Sequence, residues 1–150
     1  MSDKPYAPSC DRNRDPILDV LREHFATART VLELGSGTGQ HAVYFGQAMP
    51  QWAWQTSERD AGALAGIRLW LDEAALPNLP SPLRLDVRDA ATWPARRFDA
   101  VFSANTLHYM PWDAVQALFA NLPTVLVPAA TVVVYGPFNV DGAYTSESNA

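Results

Sequence analysis

The sequence predicts an α/β protein built on a doubly wound parallel sheet, and three observations carry that prediction. Short apolar runs alternate with amphipathic segments from about residue 15 to residue 135. Strands separated in this way are joined by right-handed helical crossovers, which place them parallel and cover both faces of the sheet. A glycine-rich turn, Gly35-Ser36-Gly37-Thr38-Gly39, follows the first apolar run, at the carboxyl end of a strand, where such sheets bind ligands.

Each element has its own local signal. Residues 1–13 are polar, carry two prolines and read as an N-terminal arm, with the folded domain over 14–138 and a tail over 139–150. Asp15-Pro16 predicts a helix start, a capping carboxylate before a proline whose missing N–H costs nothing in the first turn. Ile17, Leu18, Leu21 and Phe25 follow at helical spacing. Thr30–Leu34 is the first strand, and the helix Gly39–Met49 is stopped by Pro50. Trp52–Ser57 is the second strand, with Trp52 and Trp54 as core or edge aromatics. Asp60 caps a helix whose Leu64, Ile67, Leu71 and Ala74 form one apolar face. Prolines 77, 80 and 82 then end it. Leu83–Val87 is the third strand and Phe98–Ala104 the fourth. A helix over Pro111–Leu122 presents Val115, Leu118, Phe119 and Leu122. The β-branched run Thr131–Tyr135 is the fifth strand.

Composition limits what such a domain does. With 48% hydrophobic and 18% charged residues the chain is neither disordered nor fibrous. No apolar stretch reaches the roughly 20 residues of a membrane helix, and the first residues lack a signal-peptide core. The single cysteine, Cys10, forms no internal disulfide and anchors no zinc cluster, which points to a reducing, cytoplasmic setting. A net charge of −5 argues against gripping nucleic acid through its phosphates. No metal cluster has a recognisable spacing.

The glycine turn is neither standard phosphate cradle. A dinucleotide fingerprint reads G-x-G-x-x-G and a P-loop ends in G-K-[ST], whereas this turn reads G-x-G-x-G. Three carboxylates sit at strand ends around it: Glu33, Glu58 and Asp86. A buried Glu33 needs a hydrogen-bonding or cationic partner, and an acidic residue after the second strand is the usual partner of a ribose diol. The set suits a nucleoside carrying positive charge better than a pyrophosphate.

The segments LELGSGTGQHA, SERD, LDVRD and FDAVFSANTLHYMP resemble, in order, four motifs of the class I S-adenosylmethionine-dependent methyltransferases. The resemblance runs from about Thr30 to Phe138. It implies that Gly35, Ser36, Gly37 and Gly39 back the methionine part of S-adenosylmethionine, that Glu58 takes the ribose hydroxyls, and that Asp86 and Val87 flank the adenine. Asn105 would lie near the reactive methyl, and Glu33 would act on the methionine ammonium through water or backbone groups.

A closer resemblance, through SCDRNRDPIL, GSGTGQHAVYF, ALPNL, YGPF and TSESNA, is to a small methyltransferase-like family of unknown function. It implies further helix and strand after residue 150, hence a truncated product whose sheet lacks its last two strands. The edge of 131–135 would then be open and able to pair with another copy.

The expected activity is methyl transfer to a small molecule or peptide. His108 and Asn105 are the candidate catalytic residues, and Arg12, Asn13, His108 and Tyr109 the candidate substrate contacts. His108 is either a base or ligand or a structural side chain. Arg12, Asn13 and Arg14 are either a site or solvated charge, and Asp86 is either a ligand contact or a cap. His41 is expected on the first turn of its helix rather than in the chemistry. Two rival functions are a module that binds the cofactor or a partner without turnover, and a nicotinamide-dependent oxidoreductase, which the glycine spacing disfavours.

Overall fold

The computed structural model describes residues 4–138. The described elements are helix α1 (Pro8–His24), strand β1 (Thr30–Glu33), α2 (Gln40–Ala48), β2 (Ala53–Gln55), β3 (Ser57–Glu58), α3 (Ala61–Ala74), β4 (Leu83–Arg84), β5 (Phe98–Ala104), α4 (Trp112–Asn121) and β6 (Leu126–Tyr135). All strand pairs are parallel. One sheet runs β2-β1-β5-β6 and a two-stranded sheet pairs β3 with β4. β2 and β3 are one strand interrupted at Thr56, so the spatial order is β4, β2/β3, β1, β5, β6. The chain moves outward from β1 first to one side and then to the other, which puts the switch point between β1 and β5.

Period-two alternation on a two-sided sheet builds two cores. Val31, Ala100 and Phe102 face a layer formed by Leu21 of α1 and Phe25 just after it, Phe45 of α2 and Ile67 of α3, with Trp52 and Trp54 fully buried among them. Leu32, Leu34 and Val101 face the other way, onto Leu118 of α4, Leu122, Val125 and Trp93. Both tryptophans therefore belong to the core.

Several boundaries depart from the sequence reading. Helix α1 starts at Pro8, not after Asp15, so Arg12 and Asn13 lie on a helix and not in an arm. Pro16 sits inside it, so the carbonyl four residues back, on the exposed Arg12, receives no helical N–H. Asp15 accepts a hydrogen bond from the Tyr44 hydroxyl instead of capping the helix. The strand expected over 83–87 ends at Arg84, because the Asp86 N–H turns away to Thr92 Oγ1 at 2.9 Å. Phe119, expected on the apolar face of α4, is half exposed, and the partly buried Val115 is its neighbour there.

The last strand is longer than expected. β6 pairs with β5 from Leu126, with an irregularity between the Phe98 and Ala100 pairs, where Ala129 takes a left-handed conformation. Among the described residues no strand lies beyond β6. The tail over 139–150, with its TSESNA segment, falls outside the described residues.

Candidate active site

A cleft of about 270 Å³ opens at the carboxyl ends of β1, β3 and β4. Leu34, Gly35, Glu58, Asp86, Val87 and Arg88 form one wall, and Thr106, Tyr109, Met110 and Ala114 another. The sequence reading placed a ligand at this end of the sheet.

The glycine turn is held by stitches to its neighbours. Ser36 donates its N–H to the Ser57 carbonyl (2.9 Å), and its hydroxyl accepts from the Ser57 N–H (2.9 Å). Gly35, Gly37 and Gly39 have φ of +69°, +59° and +94°, a region that other residues occupy only under strain. The three are required for different reasons. A Cβ on Gly35 would stand 2.5 Å from Thr106 Cγ2, and one on Gly39 would press the Ile67 backbone at 3.3 Å. A Cβ on Gly37 would meet nothing within 4 Å. Gly35 and Gly39 are fixed by packing within the protein, whereas Gly37 faces open space.

Glu58 leans over this turn. One carboxylate oxygen accepts from the Gly37 N–H at 3.0 Å and the other from the Arg59 N–H at 3.1 Å. Two backbone donors thus fix the carboxylate in position, and each oxygen keeps a lone pair for a further donor. Asp86 serves its own loop, accepting from the Arg88 N–H at 3.0 Å, and still lines the cleft. Arg88 crosses to the first turn of α4 and meets Asp113 through Nε (3.0 Å) and Nη2 (3.1 Å).

Glu33 is buried behind the turn at 2% exposure. Trp54 Nε1 donates to its Oε1 at 3.2 Å, and the Ser36 hydroxyl lies close by. Burial nevertheless pushes its carboxyl up to about 7, since removing a carboxylate from water outweighs the neutral groups beside it. His41, on the first turn of α2 as expected, is also buried. It hydrogen-bonds Asn13 (Nε2 to Oδ1, 2.8 Å), stacks on Phe45, and burial pulls it down to about 4.

The remaining candidates are spread out. Asn105 follows β5 in a left-handed conformation (φ 51°), with its N–H donating to the Tyr135 carbonyl at 2.8 Å. His108 is exposed and lies against the Tyr109 ring at a tilt of 40°, with ring centroids 4.1 Å apart. Arg12 is exposed on α1, and Asn13 is committed to His41. Of the four proposed substrate contacts, only Tyr109 lines the cleft.

Sequence reasoning placed Thr106 after the fourth strand but did not foresee its contacts, a hydroxyl that donates to the Ala104 carbonyl (2.9 Å) and approaches that of Gly35 (3.3 Å), and it missed the Arg88–Asp113 bridge. It also missed Gln40, whose amide makes two hydrogen bonds with the backbone of Ala7 (2.7 and 3.3 Å) and so fastens the start of the chain beside the turn. Neither glycine spacing nor helical period signals contacts made across the fold.

A parallel sheet with its switch point after β1, a G-x-G-x-G turn, and a carboxylate at the end of the next strand define the fold of the class I S-adenosylmethionine-dependent methyltransferases. Solved structures agree. An O-methyltransferase family protein from Burkholderia thailandensis superposes with a TM-score of 0.77 at 20% identity, over 93% of this chain and 42% of that one. The S-adenosylmethionine-dependent methyltransferase SibL gives 0.76 at 24% identity, over 89% of this chain and 38% of that one. The glycopeptide N-methyltransferase MtfA, in complex with S-adenosyl-L-methionine, gives 0.70 at 18%, over 81% and 53%. The chain thus spans about two-fifths to one-half of the length of these proteins. It belongs to the family described as "Protein of unknown function (DUF938)", whose model matches residues 4–150.

Proposed function

We propose that the cleft binds S-adenosylmethionine and that the protein transfers its methyl group to a small-molecule or peptide acceptor. The observation that carries this reading is the pairing of an open Gly37 with a Glu58 carboxylate already fixed by two backbone donors. A diol needs a positioned bidentate acceptor, and a backbone that must approach a ligand closely needs no side chain there.

In this reading Gly35, Ser36, Gly37 and Gly39 back the amino-acid portion and Glu58 takes the ribose. Asp86 and Val87 flank the base, Glu33 answers the ammonium, and Asn105 lies beside the transferred group. The cofactor supplies an electrophilic methyl on a sulfonium sulfur. The protein's residues bind and align, which is the larger part of such catalysis. His108 takes a proton only if the acceptor has one to lose, while Arg12, Asn13 and Tyr109 meet the acceptor.

Calorimetric titration with S-adenosylmethionine, S-adenosylhomocysteine and NAD tests the first half of the reading. The first two should bind and NAD should not; tight NAD binding would favour an oxidoreductase. Transfer of a labelled methyl group into fractionated metabolite and peptide pools tests the second half. His108→Ala and Arg12→Ala should spare cofactor affinity and lower transfer. A module that binds without turnover is the second reading, favoured by the absence of Arg12, Asn13 and His108 from the cleft walls. It predicts binding with no acceptor labelled in any pool.

A further inference from the structure

Glu33 has an arrangement that its role as a simple counter-charge does not explain. It stands at the end of a central strand, at 2% exposure. The donor to its carboxyl, Trp54 Nε1, is neutral, and so is the nearby Ser36 hydroxyl. Among the described residues no lysine, arginine or histidine forms an ion pair with it.

The charged and titratable groups that surround it make an isolated anion less favourable still. From β3 the Glu58 carboxylate repels it, and from α1 the Cys10 thiol lies close enough to feel its charge. β2 contributes Trp54, the turn contributes Ser36, and the register partner on β5 is Phe102; all three are uncharged. On α2 the imidazole of His41 is engaged by Asn13, and burial keeps it neutral. Without a cation beside it, a carboxylate in such a site favours its protonated form.

We propose that Glu33 is a proton-exchange site: its carboxyl holds a proton in the free protein and releases it to solvent when the ammonium of a bound α-amino acid moiety arrives. This rests on the reading of the cleft given above. The exchange keeps the net charge behind the turn at zero in both states. It makes cofactor affinity rise with pH through the range where the free carboxyl titrates, while the ligand ammonium stays charged. Burial places that range around 7 in the free protein. Acidification therefore loosens the cofactor through a group that never reaches the surface.

The test is calorimetry of S-adenosylhomocysteine binding at pH 6.0, 6.5 and 7.0, each in buffers of different ionisation enthalpy, whose slope counts the protons released. The expected release is about nine-tenths of a proton at pH 6.0, falling to about half at pH 7.0, with affinity rising several-fold over that range. Glu33→Gln, which keeps the shape but holds no exchangeable charge, should bring the release near zero and flatten the affinity profile. Binding by the unaltered protein with no buffer dependence overturns the exchange and leaves the cofactor reading standing. So does an undiminished release from a folded Glu33→Gln protein. No binding at any pH overturns both.

Discussion

Replacing Glu33 by glutamine should stabilise the protein at neutral pH, and the size of the effect follows from burial. The carboxyl titrates near 4.5 when exposed and about 7 in the fold. Between those values the folded state binds the extra proton, so the Glu33 contribution to stability is greatest below about pH 4.5 and falls as pH rises toward 7. The shift corresponds to about 3 kcal/mol, which glutamine does not lose because it never ionises. His41 works in the opposite sense. Its value drops from 6.5 to about 4, so its contribution is complete above pH 6.5 and is lost as pH falls toward 4, again by about 3 kcal/mol. The two slopes oppose each other across nearly the same window. In Glu33→Gln the His41 slope is no longer opposed, and stability should climb from pH 4.5 to 6.5. Urea unfolding at several pH values, followed by tryptophan fluorescence with Trp54 as a reporter against Glu33, measures both curves. The difference curve removes every other titrating group. If the gap between the two proteins stays constant from pH 4.5 to 7.5, Glu33 is not held in its acid form by burial and the reasoning fails.

Four further outcomes are expected. His41→Gln should resist acid, gaining about 3 kcal/mol on the parent between pH 6.5 and 4 in the same assay; parallel curves would count against a neutral buried imidazole. Gly35→Ala should lose about 2–4 kcal/mol, because its Cβ would collide with Thr106 at 2.5 Å, and Thr106→Ala should restore part of the loss in denaturant titrations. Gly37→Val meets no such collision and should lose only the strain of φ +59°, about 1–2 kcal/mol, while calorimetry shows S-adenosylhomocysteine binding abolished; retained affinity would remove the turn from the site. If the free edge of β6 pairs with another copy, light scattering should show association that Val132→Lys reduces. Val132 is 37% exposed, whereas Val133 packs on the core and its replacement would disturb the fold.

Periodicity and punctuation carried much of the architecture. Leu64, Ile67 and Leu71 are buried where helical spacing put them, and Asp60 caps α3 by accepting from the Ala63 N–H at 3.0 Å. The glycine turn and the strand-end carboxylates lie where the alternation of elements placed them, because position in a parallel sheet is dictated by chain order. The start of α1 was misread because Asp15-Pro16 imitates a helix entry while Pro8 supplies the actual one. The short β4 was hidden for a related reason. Leu83 to Val87 has strand-like composition, but the exit at Asp86 depends on Thr92, a residue six positions on. Local patterns report local preferences. Thr106 against Gly35 and Gln40 against Ala7 are contacts across 71 and 33 positions, which no window of sequence contains.

The fastening of the first residues sets a timetable for the nascent chain. The Pro5 carbonyl accepts from Trp70 Nε1 at 2.7 Å, across 65 positions, and the Pro5 ring rests on Gly66, where a Cβ would stand 2.7 Å from it. Lys4 lies over the Trp70 ring, 3.8 Å from its centre, and pairs with Glu73. At a synthesis rate of about 5–20 residues per second, Pro5 leaves the peptidyl-transferase centre roughly 3–13 seconds before its partner is made. The segment around Pro5 therefore spends that interval without its anchor and becomes fixed only after α3 has followed it out of the ribosome.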